Sequence, residues 1–236
     1  MKKILTIGLA LILALSLLTA CGKNDNGENN SAVSSQPSES GKGTKDPAQL
    51  LENAIKSSEL VTLEDAERIT GMKMDVDGEI DVIGIGTVTH PRESIGVMST
   101  KYVSDDNNNL QFRISIQQSV VMEYQKLKFP EWDYNYVEGE GGVPYLIGDW
   151  KRIIDIGGGG NDTTPIEGLG DWAYYSPVLN TVYIALGDYF IKVSADYKSL
   201  IHPMTSEQKK ALDSLIKKTV TEAGNLALER LETLIK

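Results

Sequence analysis

Two histidines, one cysteine and a scatter of carboxylates are the residues of this chain that could do chemistry, and their spacing restricts what chemistry that is. His90 and His202 each precede a proline, in "THPRE" and "IHPMT", which places both at loop ends as solvated structural residues. A nucleophilic cysteine needs a histidine beside it, and a disulfide or zinc site needs further thiols; Cys21 has neither in sequence. There is no G-x-S-x-G elbow, no H-E-x-x-H pair and no S-x-x-K followed by its usual partners. "GIGTVTH" and "GGGGNDT" lack the third glycine of a dinucleotide fingerprint and the ending of a P-loop, so they read as turns. Asp149, Asp155 and Asp171 could serve a surface hydrolase, but nothing in the sequence pairs them.

Calcium sites need several oxygens within a short loop. "DDNNN" and "DVDGEID" offer them, the second through Asp75, Asp77 and Glu79. Neither continues as an EF-hand, since the twelfth position from Asp105 is Ile116 and from Asp75 is Gly86, where a bidentate glutamate is required. Both read as solvated turns. No cofactor, metal or catalytic residue is expected.

Aromatic residues make the remaining candidate site. Trp132, Tyr134, Tyr136, Tyr145 and Trp150 crowd one stretch, followed by Trp172, Tyr174 and Tyr175. Amphipathic rings suit a groove for a peptide, a sugar or an apolar ligand; any one of them more often packs such a stretch onto a sheet, and it is the group together that marks a candidate site. The expected ligand-binding set is Trp132, Tyr134, Tyr136, Tyr145, Trp150 and Trp172.

Cys21 acquires a role from its neighbours. Lys2 and Lys3 are followed by an apolar run from Ile4 to Leu18, then by Thr19 and Ala20, the layout of an export signal too short for a stable membrane span. Leu18-Thr19-Ala20-Cys21 resembles the lipobox of bacterial lipoproteins. That resemblance implies cleavage after Ala20, acylation of Cys21 by chains such as palmitate, and anchorage at the extracytoplasmic face of the cell membrane.

Residues 21–45 then read as a flexible linker. They are rich in Asn, Ser and Gly and hold almost no large apolar side chain, so they cannot bury enough surface to offset their ordering entropy. A tether of this length holds its cargo about 25 to 30 Å from the lipid. The net charge is −10; removing residues 1–20 takes away Lys2 and Lys3 and no acid, leaving 21 basic against 33 acidic residues, or −12. That balance argues against nucleic acid and against a domain drawn electrostatically onto anionic lipid.

Residues 46–236 are sufficient for one domain, with no second core apparent. Asp46-Pro47 caps a short helix through "AQLLENAIKSSE", and Thr62 to Asp65 opens a second that Gly71 ends. Met72 to His90 reads as a loop with one irregular strand, and Arg92 to Val103 as a strand. "LQFRISIQ" alternates cleanly, and "SDDNNN" closes a hairpin before it. A helix is expected from Ser119 to about Phe129, then an irregular insertion near 130–161 with one helical turn near Trp150. Trp172–Tyr175, Thr181–Leu186 and Tyr189–Ala195 form an antiparallel meander. A capping box at Thr205–Gln208 starts a long amphipathic helix along Leu212, Leu215, Ile216, Val220, Ala223, Ala227 and Leu231.

The expected class is α+β, an antiparallel sheet of about five strands covered by helices. "LEDAERITG", "GLGDWAYY" and the closing helix resemble envelope lipoproteins with a PsbP/Mog1-like sandwich. The resemblance implies a non-catalytic binding or accessory role toward an envelope protein or small ligand, with a surface hydrolase or a transporter's solute receptor as alternatives.

Overall fold

A computed structural model describes residues 46–80, 94–104, 110–130, 134, 138–158, 162–197 and 205–236. Cys21, His90, His202, Trp132, Tyr136, the "DDNNN" turn and the linker lie outside the described residues.

The strand alternation produces one seven-stranded antiparallel sheet. Its strands are β1 (Met74–Ile80), β2 (Val97–Ser104), β3 (Leu110–Gln117), β4 (Thr164–Pro165), β5 (Trp172–Ser176), β6 (Thr181–Leu186) and β7 (Tyr189–Tyr197), in spatial order β1-β2-β3-β7-β6-β5-β4. The expected five strands become seven because both edges are short or irregular, the patterns that periodicity detects least. β1 carries exposed Asp75 and Asp77 and a register shift between Val76 and Glu79, so "DVDGEID" is largely strand and not a solvated turn. β4 is two residues long and ends in proline. Charge, bulge and proline blunt the two edges against pairing with other chains.

One face of the sheet is covered by α1 (Pro47–Glu52), α2 (Ser57–Leu60), α3 (Leu63–Thr70) and the long C-terminal helix. Phe112, Ile114, Ile116, Val182, Ile184, Ile191 and Val193 point into this core and meet Ile216, Val220, Ala223, Ala227 and Leu231. Gly224 permits the approach, since a Cβ there would stand 3.2 Å from Ile184 and from Val182. Tyr102 is fully buried in the same layer, stacks on Phe112 at 5.6 Å and donates its hydroxyl proton to the Val61 carbonyl.

The helix expected through "AQLLENAIKSSE" is two helices. Asn53 ends the first, its side-chain amide donating to the Gln49 carbonyl at 2.8 Å. Ile55 then exchanges two hydrogen bonds with the Gln118 amide, at 3.0 and 2.7 Å. A distant side chain thereby satisfies backbone groups that a continuous helix would have used.

The opposite face is covered only in part, by α5 (Val143–Ile153), while α4 (Ser119–Lys128) contributes Val121 to the first core and Met122 to this side. The stretch expected to be irregular therefore holds three turns of helix, not one, ending in a widened turn at Ile154–Gly158 where Gly157 has a φ of 87°. Pro144 near its start and the spacing of Val143, Leu146, Ile147 and Trp150 account for it. Val143, Leu146 and Ile147 pack with Ile95, Met122, Tyr183, Ala185 and Phe190. So the sheet has a second apolar cluster on its other side, which the sequence did not suggest, within the same compact unit. C-terminal helix α6 (Ser206–Leu234) begins at the expected capping box, Gln208 N–H donating to Thr205 Oγ1 at 3.2 Å.

Candidate binding site

Strand parity sorts the aromatic residues. Trp172 and Tyr174 face α5, while Ala173 between them and Tyr175 after them face α6, where Lys217 lies 5.3 Å from the Tyr175 ring centre. The two-residue turn at Gly187-Asp188 sets Tyr183 opposite Lys192 and Ala185 opposite Phe190. Trp150, brought down by α5, stacks on Phe190 at 5.7 Å and on Tyr183 at 6.1 Å. Trp172 tilts against Phe190 at 5.6 Å and meets Tyr174 edge-on at 5.9 Å. Phe190 thus joins the two tryptophans, whose own rings remain half-buried.

Charges border this aromatic group. Lys192 Nζ lies 5.7 Å from the Trp150 ring centre and 5.9 Å from that of Tyr183, a cation–π arrangement. At the outer edge the Tyr174 hydroxyl donates to Asp155 Oδ1 at 2.7 Å and Lys151 Nζ donates to Asp155 Oδ2 at 2.6 Å. Those bonds, from Lys151 foremost, hold the Asp155 carboxyl below its usual range. The same hydrogen bond to Asp155, with some burial, pushes the Tyr174 phenol up.

Of the six expected ligand residues, four are described, and all four pack into or against the second apolar cluster. Tyr134 is buried within it and Tyr145 lies half-buried against it, so these two contribute mainly to packing. Trp150 and Trp172 combine packing with an exposed part. The sequence reading missed Tyr183, Phe190 and Lys192; their common strand face and the tight turn at 187–188 were the available signal.

The carboxylates named for a hydrolase have separate structural partners. Asp149 accepts two bonds from Arg152, at 2.7 and 3.0 Å; Asp155 is held as above; Asp171 accepts from the Gly187 N–H at 2.7 Å. Among the described residues no group of three His, Cys, Asp or Glu side chains could hold a metal ion, and no helix is long and apolar enough to cross a membrane.

Beyond the rim of α5 the same sheet face is open. Lys101, Gln111, Arg113, Ser194 and Asp196 line a depression of about 200 Å³ there. Comparison of the chain with protein-family models, with curated proteins and with solved structures gives no match.

Proposed function

We propose that this chain is a membrane-anchored extracytoplasmic lipoprotein whose folded part is a non-catalytic binding or accessory module. The observation that carries the reading is the run from Lys2 to Cys21: two lysines, an apolar segment and Leu-Thr-Ala-Cys at its close. Acylation of Cys21 restricts the domain to the membrane surface and raises its effective concentration toward partners there. The polar linker through Lys45 supplies the reach.

The non-catalytic part of the proposal draws support from how the candidate acids are used: each is held by a partner of its own, and Asp171 caps a turn. Trp150 and Trp172, half-exposed at one end of the sheet, are the contact residues of the module. A PsbP/Mog1-like sandwich belongs to the same proposal, supported by an antiparallel sheet with a long covering helix.

Metabolic labelling with an alkyne analogue of palmitate tests it. The wild-type chain is expected to take up label and to partition with membranes after a salt wash, and Cys21→Ala to do neither. Equal labelling of both, or a wild-type chain released by salt, would remove the anchor from the proposal.

A further inference from the structure

We infer that the open face of strands β2, β3 and β7 is a binding site for a single phosphate group carried on a small ligand. The inference rests on the binding-module reading and is independent of the anchor. It starts from the register: Lys101 on β2 stands directly opposite Arg113 on β3, and Arg113 in turn opposite Ser194 on β7. Directly opposed side chains have Cβ atoms about 5 Å apart, and like charges there destabilise a sheet. Lys101 is relieved by Asp77, 2.6 Å away. Arg113 is exposed and has no ion-pair partner among the described residues. One row along the same face, Lys192 sits opposite Ser115.

A chain of net charge −10 thus places three cations on one small patch of rigid strand, two of them face to face. A bound anion would relieve that arrangement. Gln111 and Ser194 add neutral donors to the depression, and Asp196 at its rim has its Oδ1 occupied by the Tyr197 N–H at 2.7 Å. The depression, of about 200 Å³, has room for a phosphate with a few attached atoms. A carboxylate would be satisfied by the guanidinium fork of Arg113 alone, whereas a phosphate presents enough oxygens to bridge Arg113 and Lys101.

The test is titration of the full-length chain in non-ionic detergent with inorganic phosphate, at ionic strength held constant with chloride, followed by backbone amide shifts. Saturable shifts are expected at residues 99–101, 111–115 and 192–194. Arg113→Gln should weaken them at least tenfold without lowering Tm, because it removes a like-charge contact, and Lys101→Gln should also weaken them. A structural role for Arg113 would instead lower Tm. Absence of saturable shifts, or equal affinity in Arg113→Gln, would overturn the inference. Equal response to acetate would overturn the phosphate preference. Shifts confined to the indole signals of Trp150 and Trp172 would overturn this site while leaving the aromatic surface, and hence the binding module, in place.

Discussion

Arg230, near the end of helix α6, reaches 2.6 Å from Asp65 in the first turn of α3, so the last helix is locked to the third by a charge pair across the sequence. Asp65 is 8% exposed and also caps α3, accepting from Thr62 N–H at 3.0 Å, Thr62 Oγ1 at 2.7 Å and Arg68 at 3.2 Å. Burial alone would raise its pKa, but the hydrogen bonds from Thr62, Arg230 and Arg68 outweigh it and lower the value to about 2, against 3.8 for the free group. Arg230 further donates to the Leu60 carbonyl at 3.3 Å.

A depressed carboxylate stabilises the fold at pH above its unfolded value and loses that contribution as pH falls through its folded one. Asp65→Asn is therefore expected to destabilise the chain by about 2 kcal/mol at pH 7. The gap from wild type should close as pH falls from about 4 toward 2. Urea unfolding at several pH values checks this; a gap independent of pH would mean that the charge is irrelevant.

Gln125 is fully buried and fastens the chain before β2 to α4. Its Oε1 accepts from the Gly96 N–H at 2.7 Å and its Nε2 donates to the Ser94 carbonyl at 2.8 Å. Gln125→Leu keeps the volume but orphans two buried backbone groups, so a loss of roughly 2 to 4 kcal/mol is expected from urea midpoints. Gln117, donating to the Ile95 carbonyl at 2.6 Å, should couple to it non-additively in a double-mutant cycle.

Two glycines of similar backbone separate conformational from steric cost. Gly168 and Gly170 have φ of 73° and 65°, but a Cβ at 168 meets nothing within 4 Å, whereas at 170 it would lie 2.3 Å from the Ala185 carbonyl oxygen. Gly168→Ala should cost about 1 kcal/mol, and Gly170→Ala roughly 3 kcal/mol or more. Comparable Tm values for the two variants would contradict the close approach.

Tyr174 should ionise at higher pH than free tyrosine, because its proton is shared with Asp155. Ultraviolet titration, read as the difference between wild type and Tyr174→Phe, reports that phenol alone. In Asp155→Asn the transition is expected to move down toward the usual range; no movement would show that Asp155 does not hold the proton.

Much of the fold was legible locally. Leu110, Phe112, Ile114 and Ile116 alternate with polar residues because one face of β3 is buried and the other is wet. Thr62 and Thr205 open helices because their hydroxyls satisfy N–H groups that no turn precedes. Trp150 was legible both as a candidate contact and as a ring packed onto a sheet, but its partners were not, since they depend on Phe190 and Tyr183 arriving from two strands. β1 escaped clear detection because glycine and acids break its alternation, and only pairing with β2 makes it a strand.

By itself, then, the sequence determined the period of each strong element and its caps and turns, all of which depend on residues a few positions apart. The tertiary structure alone decided which strands are neighbours, that α5 covers one end of the sheet and not the other, and that Arg230 meets Asp65 and Lys101 faces Arg113. Those outcomes depend on loop closure and on shared burial between segments far apart in the chain, where one register satisfies every strand face at once.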